Sequence, residues 1–273
     1  MYETFYGLSA SPFNITPDPR YLFFSRRHRE AFEYIMFGIA QRKGFIQITG
    51  EVGAGKSTLC RAVLAVLDET GGGYATALIL NPVMTGVQLL RSVLNELHLD
   101  GRGNDRVRLL QRLNDFLLER AHAGEDVVLI LDEAQDMSPD LLEEVRLLSN
   151  LETEDRKLLQ IVLVGQPELR EMLDVSTLRQ LRQRITVRYH LGPISRAETE
   201  DYILHRLKVA GATGRPTFSP RALRAIHRYS GGVPRLINAV CDKALLAGYV
   251  EERDHLGWRQ IRRAVRDLEG AGR

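Results

Sequence analysis

The sequence predicts an α/β fold in two parts, a parallel β-sheet built around a phosphate-binding loop and then an all-helical subdomain. Three observations carry that expectation. Gly50-Glu51-Val52-Gly53-Ala54-Gly55-Lys56-Ser57 is a complete G-x-x-x-x-G-K-[ST] pattern between a β-branched apolar segment and a segment of helical spacing. Short apolar runs alternate with helical stretches as far as residue 190. Beyond Gly192-Pro193 only helical periodicity remains.

Taken in order, the first thirty residues are rich in proline and aromatics and include Phe13, Pro17, Asp18, Pro19, Tyr21, Phe23 and Phe24. They read as an irregular arm laid over the domain, followed by a helix from about Arg27 to Gln41. Phe45–Thr49 is the first strand, and Thr58–Leu67 repeats apolar residues as a helix does. Gly71-Gly72-Gly73 turns the chain into a second strand, Tyr74–Leu80. Helices follow near Thr85–Leu97, with Val87, Leu90, Val93, Leu94 and Leu97 on one face, and near Asp105–Ala121. Val127–Leu131 is a third strand whose unbroken apolar character suits burial on both faces. Leu158–Val164 is a fourth and Ile185–His190 a weaker fifth. Strands alternating with helices imply parallel pairing through right-handed crossovers. The remainder reads as helices at 195–210, 219–229, 234–249 and 257–268, broken at Gly211–Pro216, Gly231-Gly232 and near Asp254, with no strand candidate. The domain boundaries are therefore 1–193 for the α/β part with its arm and 194–273 for a helical lid.

Composition excludes several classes. With 44% hydrophobic and 26% charged residues the chain is an ordinary globular sequence. A net charge of +2 gives no strong electrostatic case for nucleic acid or an anionic membrane. Cys60 and Cys241 are too few for a metal site or a disulfide framework. The opening residues lack a basic start followed by an apolar core, and no apolar run approaches the roughly 20 residues that span a bilayer. A cytoplasmic location is expected, with any membrane association peripheral at the inner membrane.

The chemistry gathers in four places. The loop glycines let backbone N–H groups curl around phosphate oxygens, Lys56 reaches the β/γ-phosphates, and Ser57 offers a hydroxyl to Mg²⁺, so Gly50 to Thr58 form the phosphate-contacting segment. Asp132-Glu133 ends the third strand: Asp132 suits Mg²⁺, directly or through water, and Glu133 suits activation of a water for in-line attack on a γ-phosphate. Gln166, where the fourth strand runs into Gly165-Gln166-Pro167, is placed to bond that water or the γ-phosphate, or simply to start a turn. Arg179, Arg182 and Arg184 flank the fifth strand, and one guanidinium delivered to a γ-phosphate raises the rate by about 10³–10⁵. Arg184 ranks first and Arg182 second. Arg235, in Gly231-Gly232-Val233-Pro234-Arg235, opens a helix where a cation opposes the dipole, which an anionic ligand explains. His28, Tyr21, Phe23 and Phe24 are candidates to border an adenine, with core packing the main role of most. The stretch Arg259–Arg266, interleaved with Trp258, Ile261, Val265 and Leu268, reads as an amphipathic helix packed on its subdomain.

Together these motifs resemble the AAA+ ATPases, specifically the branch related to the ATPase component A of type II secretion. The resemblance rests on Met1-Tyr2-Glu3-Thr4-Phe5-Tyr6-Gly7-Leu8, Pro12-Phe13, Pro17-Asp18-Pro19-Arg20, the phosphate loop, Asp132-Glu133-Ala134-Gln135, Gly165-Gln166-Pro167-Glu168-Leu169 and Gly232-Val233-Pro234-Arg235. It covers nearly the whole chain and is closest to short ATPases encoded with exosortase/PEP-CTERM exopolysaccharide export systems. It implies ATP and Mg²⁺ as ligands and a sheet of order 5-1-4-3-2 with a helical lid. It also implies a homo-oligomeric ring or filament with ATP at subunit interfaces, and a cell-envelope export machine as partner. By the same resemblance Lys56 and Ser57 match Walker A, Asp132 and Glu133 Walker B, Gln166 sensor 1, Arg235 sensor 2, and the arginines near Arg184 the finger region. Gln166 departs from the asparagine or threonine common at sensor 1. Two other functions share this core: a DNA-bound AAA+ ATPase of the transposition-targeting type, and a nucleotide-dependent scaffold that scarcely turns ATP over.

Overall fold

The computed structural model describes residues 1–14, 18–71, 73–153 and 156–270. Pro17 of the arm and Gly72 of the glycine turn lie outside the described residues. The elements run α1 (Tyr2–Tyr6), α2 (Arg26–Ala40), β1 (Phe45–Gly50), α3 (Lys56–Glu69), β2 (Tyr74–Ile79), α4 (Gly86–Glu96), α5 (Arg106–His122), β3 (Asp126–Leu131), α6 (Pro139–Leu148) and β4 (Leu159–Gly165). They continue with α7 (Glu168–Leu173), α8 (Arg179–Arg184), β5 (Ile185–Leu191), α9 (Arg196–Val209), β6 (Thr217–Phe218), α10 (Pro220–Ser230), α11 (Pro234–Val250), β7 (His255–Leu256) and α12 (Trp258–Leu268). The chain divides into two compact units, one of Met1–Arg27, Glu51–Thr58 and Gly192–Arg273, the other of His28–Gly50 and Leu59–Leu191.

The second unit holds a five-stranded sheet of order β2-β3-β4-β1-β5, every pair parallel. From the other edge this is the expected 5-1-4-3-2. β1, β3 and β4 are buried along their whole length, as largely apolar central parallel strands are, with Gln47, Thr49, Asp126 and Gln160 the polar exceptions. Leu89, Val93, Leu113, Leu129, Ile161 and Leu163 are among the side chains that form its core, each worth about 1.5–3 kcal/mol relative to exposure. Helix α4 starts at a capping box in which Thr85 and Gln88 satisfy each other's backbone N–H groups. Helices α6, α7 and α8 go beyond the sequence expectation. α6 had a readable start in Ser138-Pro139, where the Ser138 hydroxyl accepts from Leu141 N–H at 3.2 Å. α7 and α8, six residues each, are too short to show a 3.6-residue period.

The first unit packs α9–α12 together with α1 and the arm. Its core includes Tyr6, Phe13, Ile203, Ile237, Cys241 and Ile261. The Tyr6 hydroxyl lies 3.2 and 3.1 Å from the carbonyls of Leu245 and Arg253, and Ser9 N–H donates to Ala210 C=O at 2.8 Å. The arm therefore groups with the C-terminal helices, whereas the boundary at 193/194 had joined it to the α/β part. Aromatic residues at 2, 5 and 6 are the reason, since they find apolar partners on α11. The expectation that no strand lies beyond Gly192 is also corrected: β6 and β7 pair in parallel through Thr217↔His255 and Phe218↔Leu256. Two-residue strands carry no sequence period.

Arg206 on α9 is the main polar tie of this unit. It is buried, its Nε donates to Pro12 C=O at 2.5 Å, Nη1 to the Tyr202 hydroxyl at 2.9 Å and Nη2 to Asn14 C=O at 3.2 Å. The guanidinium also lies 4.7 Å from the centre of the Tyr21 ring. Helix α12 buries Ile261 and Ala264 and exposes Arg259, Arg262, Arg263 and Arg266, the amphipathic packing expected of it. Both cysteines are buried and neither forms a disulfide among the described residues, and burial pushes the Cys241 thiol well above the usual thiol range. Among the described residues no helix is long and apolar enough to cross a membrane.

Candidate nucleotide site

β1 delivers the chain into the phosphate loop, and α3 begins at Lys56. Within Glu51–Thr58 the turn closes through Ala54 N–H on Glu51 C=O at 3.1 Å, with Gly53 and Gly55 at φ 79° and 100°, where glycine is the favoured residue. Lys56 is buried, and its ammonium donates to Glu51 C=O at 3.1 Å. Ser57 and Thr58 occupy the first turn of α3, where the helix dipole favours phosphate.

The segment before α11 is docked on this loop. Arg235 N–H donates to Gly53 C=O at 3.2 Å. A Cβ on Gly53 would stand 2.3 Å from the Arg235 Cβ, so a side chain at 53 and the observed approach are incompatible. The Arg235 side chain is exposed and makes no hydrogen bond or ion pair among the described residues. The loop and Arg235, distant in sequence, thus meet in one unit.

Asp132, Glu133, Gln166 and the three arginines lie in the other unit. Asp132 is 2% exposed, its N–H donates to Ile79 C=O at 2.9 Å, and its Oδ1 accepts from Glu133 N–H at 2.9 Å. Glu133 adopts φ 53°, ψ 39°, a left-handed conformation uncommon for a side chain of its size. Its Oε2 accepts from Gln135 Nε2 at 2.9 Å and lies 3.5 Å from Gln166 Nε2, while Gln166 N–H donates to Gln135 Oε1 at 2.9 Å. Gln166 therefore sits beside Glu133. Gln135 had no assigned role in the sequence reading. Its signal there was its place in Asp132-Glu133-Ala134-Gln135.

The three arginines of α8 differ in engagement. Arg184 Nη1 donates at 2.6 Å to the buried Ser149 hydroxyl, and Arg182 Nη1 lies 2.8 Å from Asp174 Oδ1. Arg179 is exposed and has no ion pair among the described residues. The ranking of Arg184 first did not anticipate the bond to Ser149. Tyr21 lies in the core of the first unit and the half-buried Phe23 packs against it, edge-on to Tyr202 with centroids 5.7 Å apart. His28 is buried.

Among the described residues no cluster of three or more His, Cys, Asp or Glu side chains could hold a metal. Mg²⁺ beside nucleotide phosphates needs fewer protein ligands, because water and phosphate oxygens fill most of its octahedron.

A five-stranded parallel sheet of this order, with the glycine loop after β1 and Asp-Glu after β3, is the P-loop fold of the AAA+ class, and the AAA domain family matches residues 39–173. The chain carries that fold. It is similar to General secretion pathway protein A of Aeromonas hydrophila, 45% identical over 272 residues that make up 99% of this chain and 49% of that protein. The chain thus spans about half the length of that curated relative. Among solved structures it is similar to the Aeropyrum pernix ORC2 protein in its ADPNP–ADP complexes, with a TM-score of 0.71 and 18% identity over 94% of this chain and 71% of that one. Cdc6p of Pyrobaculum aerophilum gives a TM-score of 0.73 at 19% identity, covering 94% and 70%. The Aeropyrum pernix ORC1 protein in complex with DNA gives 0.68 at 15%, covering 95% and 69%. At such identities the likeness is one of fold.

Proposed function

We propose that this chain binds ATP with Mg²⁺, hydrolyses the γ-phosphate in an assembly of identical subunits, and powers or regulates a cell-envelope export machine. The observation that supports the export setting is the 45% identity to a general secretion pathway protein along nearly the whole chain. The opening motifs favour exopolysaccharide export of the exosortase/PEP-CTERM kind, and the location that follows is the cytoplasmic side of the inner membrane. Lys56 and the loop N–H groups hold the phosphates. Ser57 and Asp132 hold Mg²⁺, which when bound offsets phosphate charge. Glu133 takes a proton from the attacking water, Gln166 orients that water, and Arg235 contacts phosphate. Of the three α8 arginines, Arg179 is the one whose guanidinium is uncommitted and thus deliverable to the ATP of a neighbouring subunit.

Two measurements test this. Lys56→Ala is expected to abolish ATP binding and, with it, ATP-dependent assembly followed by light scattering; assembly that still responds to ATP would sink the reading of the loop. Arg179→Ala is expected to lower assembled turnover by about 10³-fold or more while ATP affinity stays within a few-fold, whereas equal losses in unassembled protein would argue against delivery between subunits. The second reading, an AAA+ ATPase bound to DNA, draws on the fold likeness to an ORC1 protein in complex with DNA. The net charge of +2 disfavours it. Duplex DNA that stimulates turnover, with affinity falling steeply as salt rises, would replace the export reading.

A further inference from the structure

We infer that Gln135 is a positioning residue for ATP hydrolysis, its side-chain amide aiming the Glu133 carboxylate and tying it to the end of β4. The inference rests on the reading of Glu133 as the general base. Gln135 lies in the short 3₁₀ turn Ala134–Asp136 that follows Glu133. Its Oε1 accepts the Gln166 N–H and its Nε2 donates to Glu133 Oε2, both at 2.9 Å. The partners dictate which way the amide points. A backbone N–H only donates, so it must meet the carbonyl oxygen, and the NH₂ group is then turned toward the carboxylate, an acceptor. The reversed amide would set donor against donor and acceptor against acceptor.

Space for this bridge depends on residue 165 having no side chain, since a Cβ there would stand 2.9 Å from Gln135 Oε1. The bridge has a mechanical consequence. Glu133 leaves β3 in a left-handed turn, which alone does not fix its carboxylate, and two amides now converge on one oxygen, Oε2. Oε1 accepts no hydrogen bond among the described residues and is the oxygen turned to a water proton. Because Gln135 also holds the backbone of Gln166, the base and the water-orienting amide are fixed as one piece.

Two substitutions separate this role from a structural one. Gln135→Glu keeps an acceptor for the Gln166 N–H but replaces the donor to Glu133 with a like charge, and Gln135→Leu removes both bonds. Each is expected to lower kcat by roughly tenfold to a hundredfold, the scale on which small misplacements cost rate, with KM for ATP within about threefold of the parent. The double variant Glu133→Gln/Gln135→Leu is expected to be no slower than Glu133→Gln alone, because an aimed group that is missing cannot be misaimed. Parent-like turnover in Gln135→Glu, or additive losses in the double variant, would overturn the positioning role. If Gln135→Leu fails to fold, Gln135→Glu carries the test, since it retains the bond to β4. Should Glu133→Gln itself hydrolyse ATP at the parent rate, the reading of Glu133 falls and this role with it. A disabled Glu133→Gln beside a parent-like Gln135→Glu removes this role alone.

Discussion

Glu133→Gln is expected to bind ATP as tightly as the parent and to hydrolyse it about 10²–10⁴-fold more slowly, the range contributed by a positioned general base. The substitution is nearly isosteric and retains a carbonyl oxygen able to accept from Gln135 Nε2 at the observed 2.9 Å. The turn at Glu133 and the bond from its N–H to Asp132 Oδ1 involve backbone atoms and are unaffected. What is lost is the capacity to take a proton. Single-turnover hydrolysis under saturating ATP, with affinity measured separately by equilibrium titration, checks both halves. Turnover equal to that of the parent in the assembled state would remove Glu133 from the chemistry and favour a nucleotide-dependent scaffold. A coupled loss of affinity would instead mean that the carboxylate supports the bound ground state.

The second large effect concerns stability. Arg206→Met is expected to destabilise the unit formed by the arm and the C-terminal helices by about 3–5 kcal/mol, the range for emptying a buried hydrogen-bond network. Methionine keeps most of the apolar stem but removes donors from the carbonyls of Pro12 and Asn14 and from the Tyr202 hydroxyl. It also removes the cation over the Tyr21 ring, an interaction worth roughly 1–2 kcal/mol where desolvated. Arg206→Lys should recover little, because one ammonium cannot serve three acceptors arranged for a planar fork. Thermal denaturation of the full chain reads the effect. A shift in Tm of less than about 2 °C for Arg206→Met would show that the arm is held by its aromatics alone.

Much of this is legible in the sequence. Continuous apolar strands around a glycine loop prescribe a parallel sheet, and the signal is strong because central strands satisfy burial on both faces at once. Asp132-Glu133 was readable for a related reason, as two charges directly after a run that tolerates none. What escaped the reading is tertiary. Nothing in Gly53 announces that Arg235 N–H will bond its carbonyl, a contact spanning most of the chain. Gln135 looked like any polar turn residue until Gln166 supplied the other end of its bridge. The α8 arginines were identical by type and differ through Ser149 and Asp174, partners set by packing. β6 and β7 escaped because two residues cannot show a period.

The hydrogen bond from Tyr2 to Asp242, at 2.5 Å and 240 residues of separation, has a consequence for how the chain is made. Translation adds about 5–20 residues per second, so roughly 10–50 s separate the synthesis of the two partners. During that interval the aromatic residues of α1 lack their partners on α11, while His28–Gly50 and Leu59–Leu191 can complete a sheet and core of their own. The arm must then find helices that emerge last, the kind of long-range closure that slows folding. Newly made chains accordingly pass through a period in which Tyr2, Phe5 and Tyr6 are open to chaperones or to one another, and it closes only once α11 has left the ribosome.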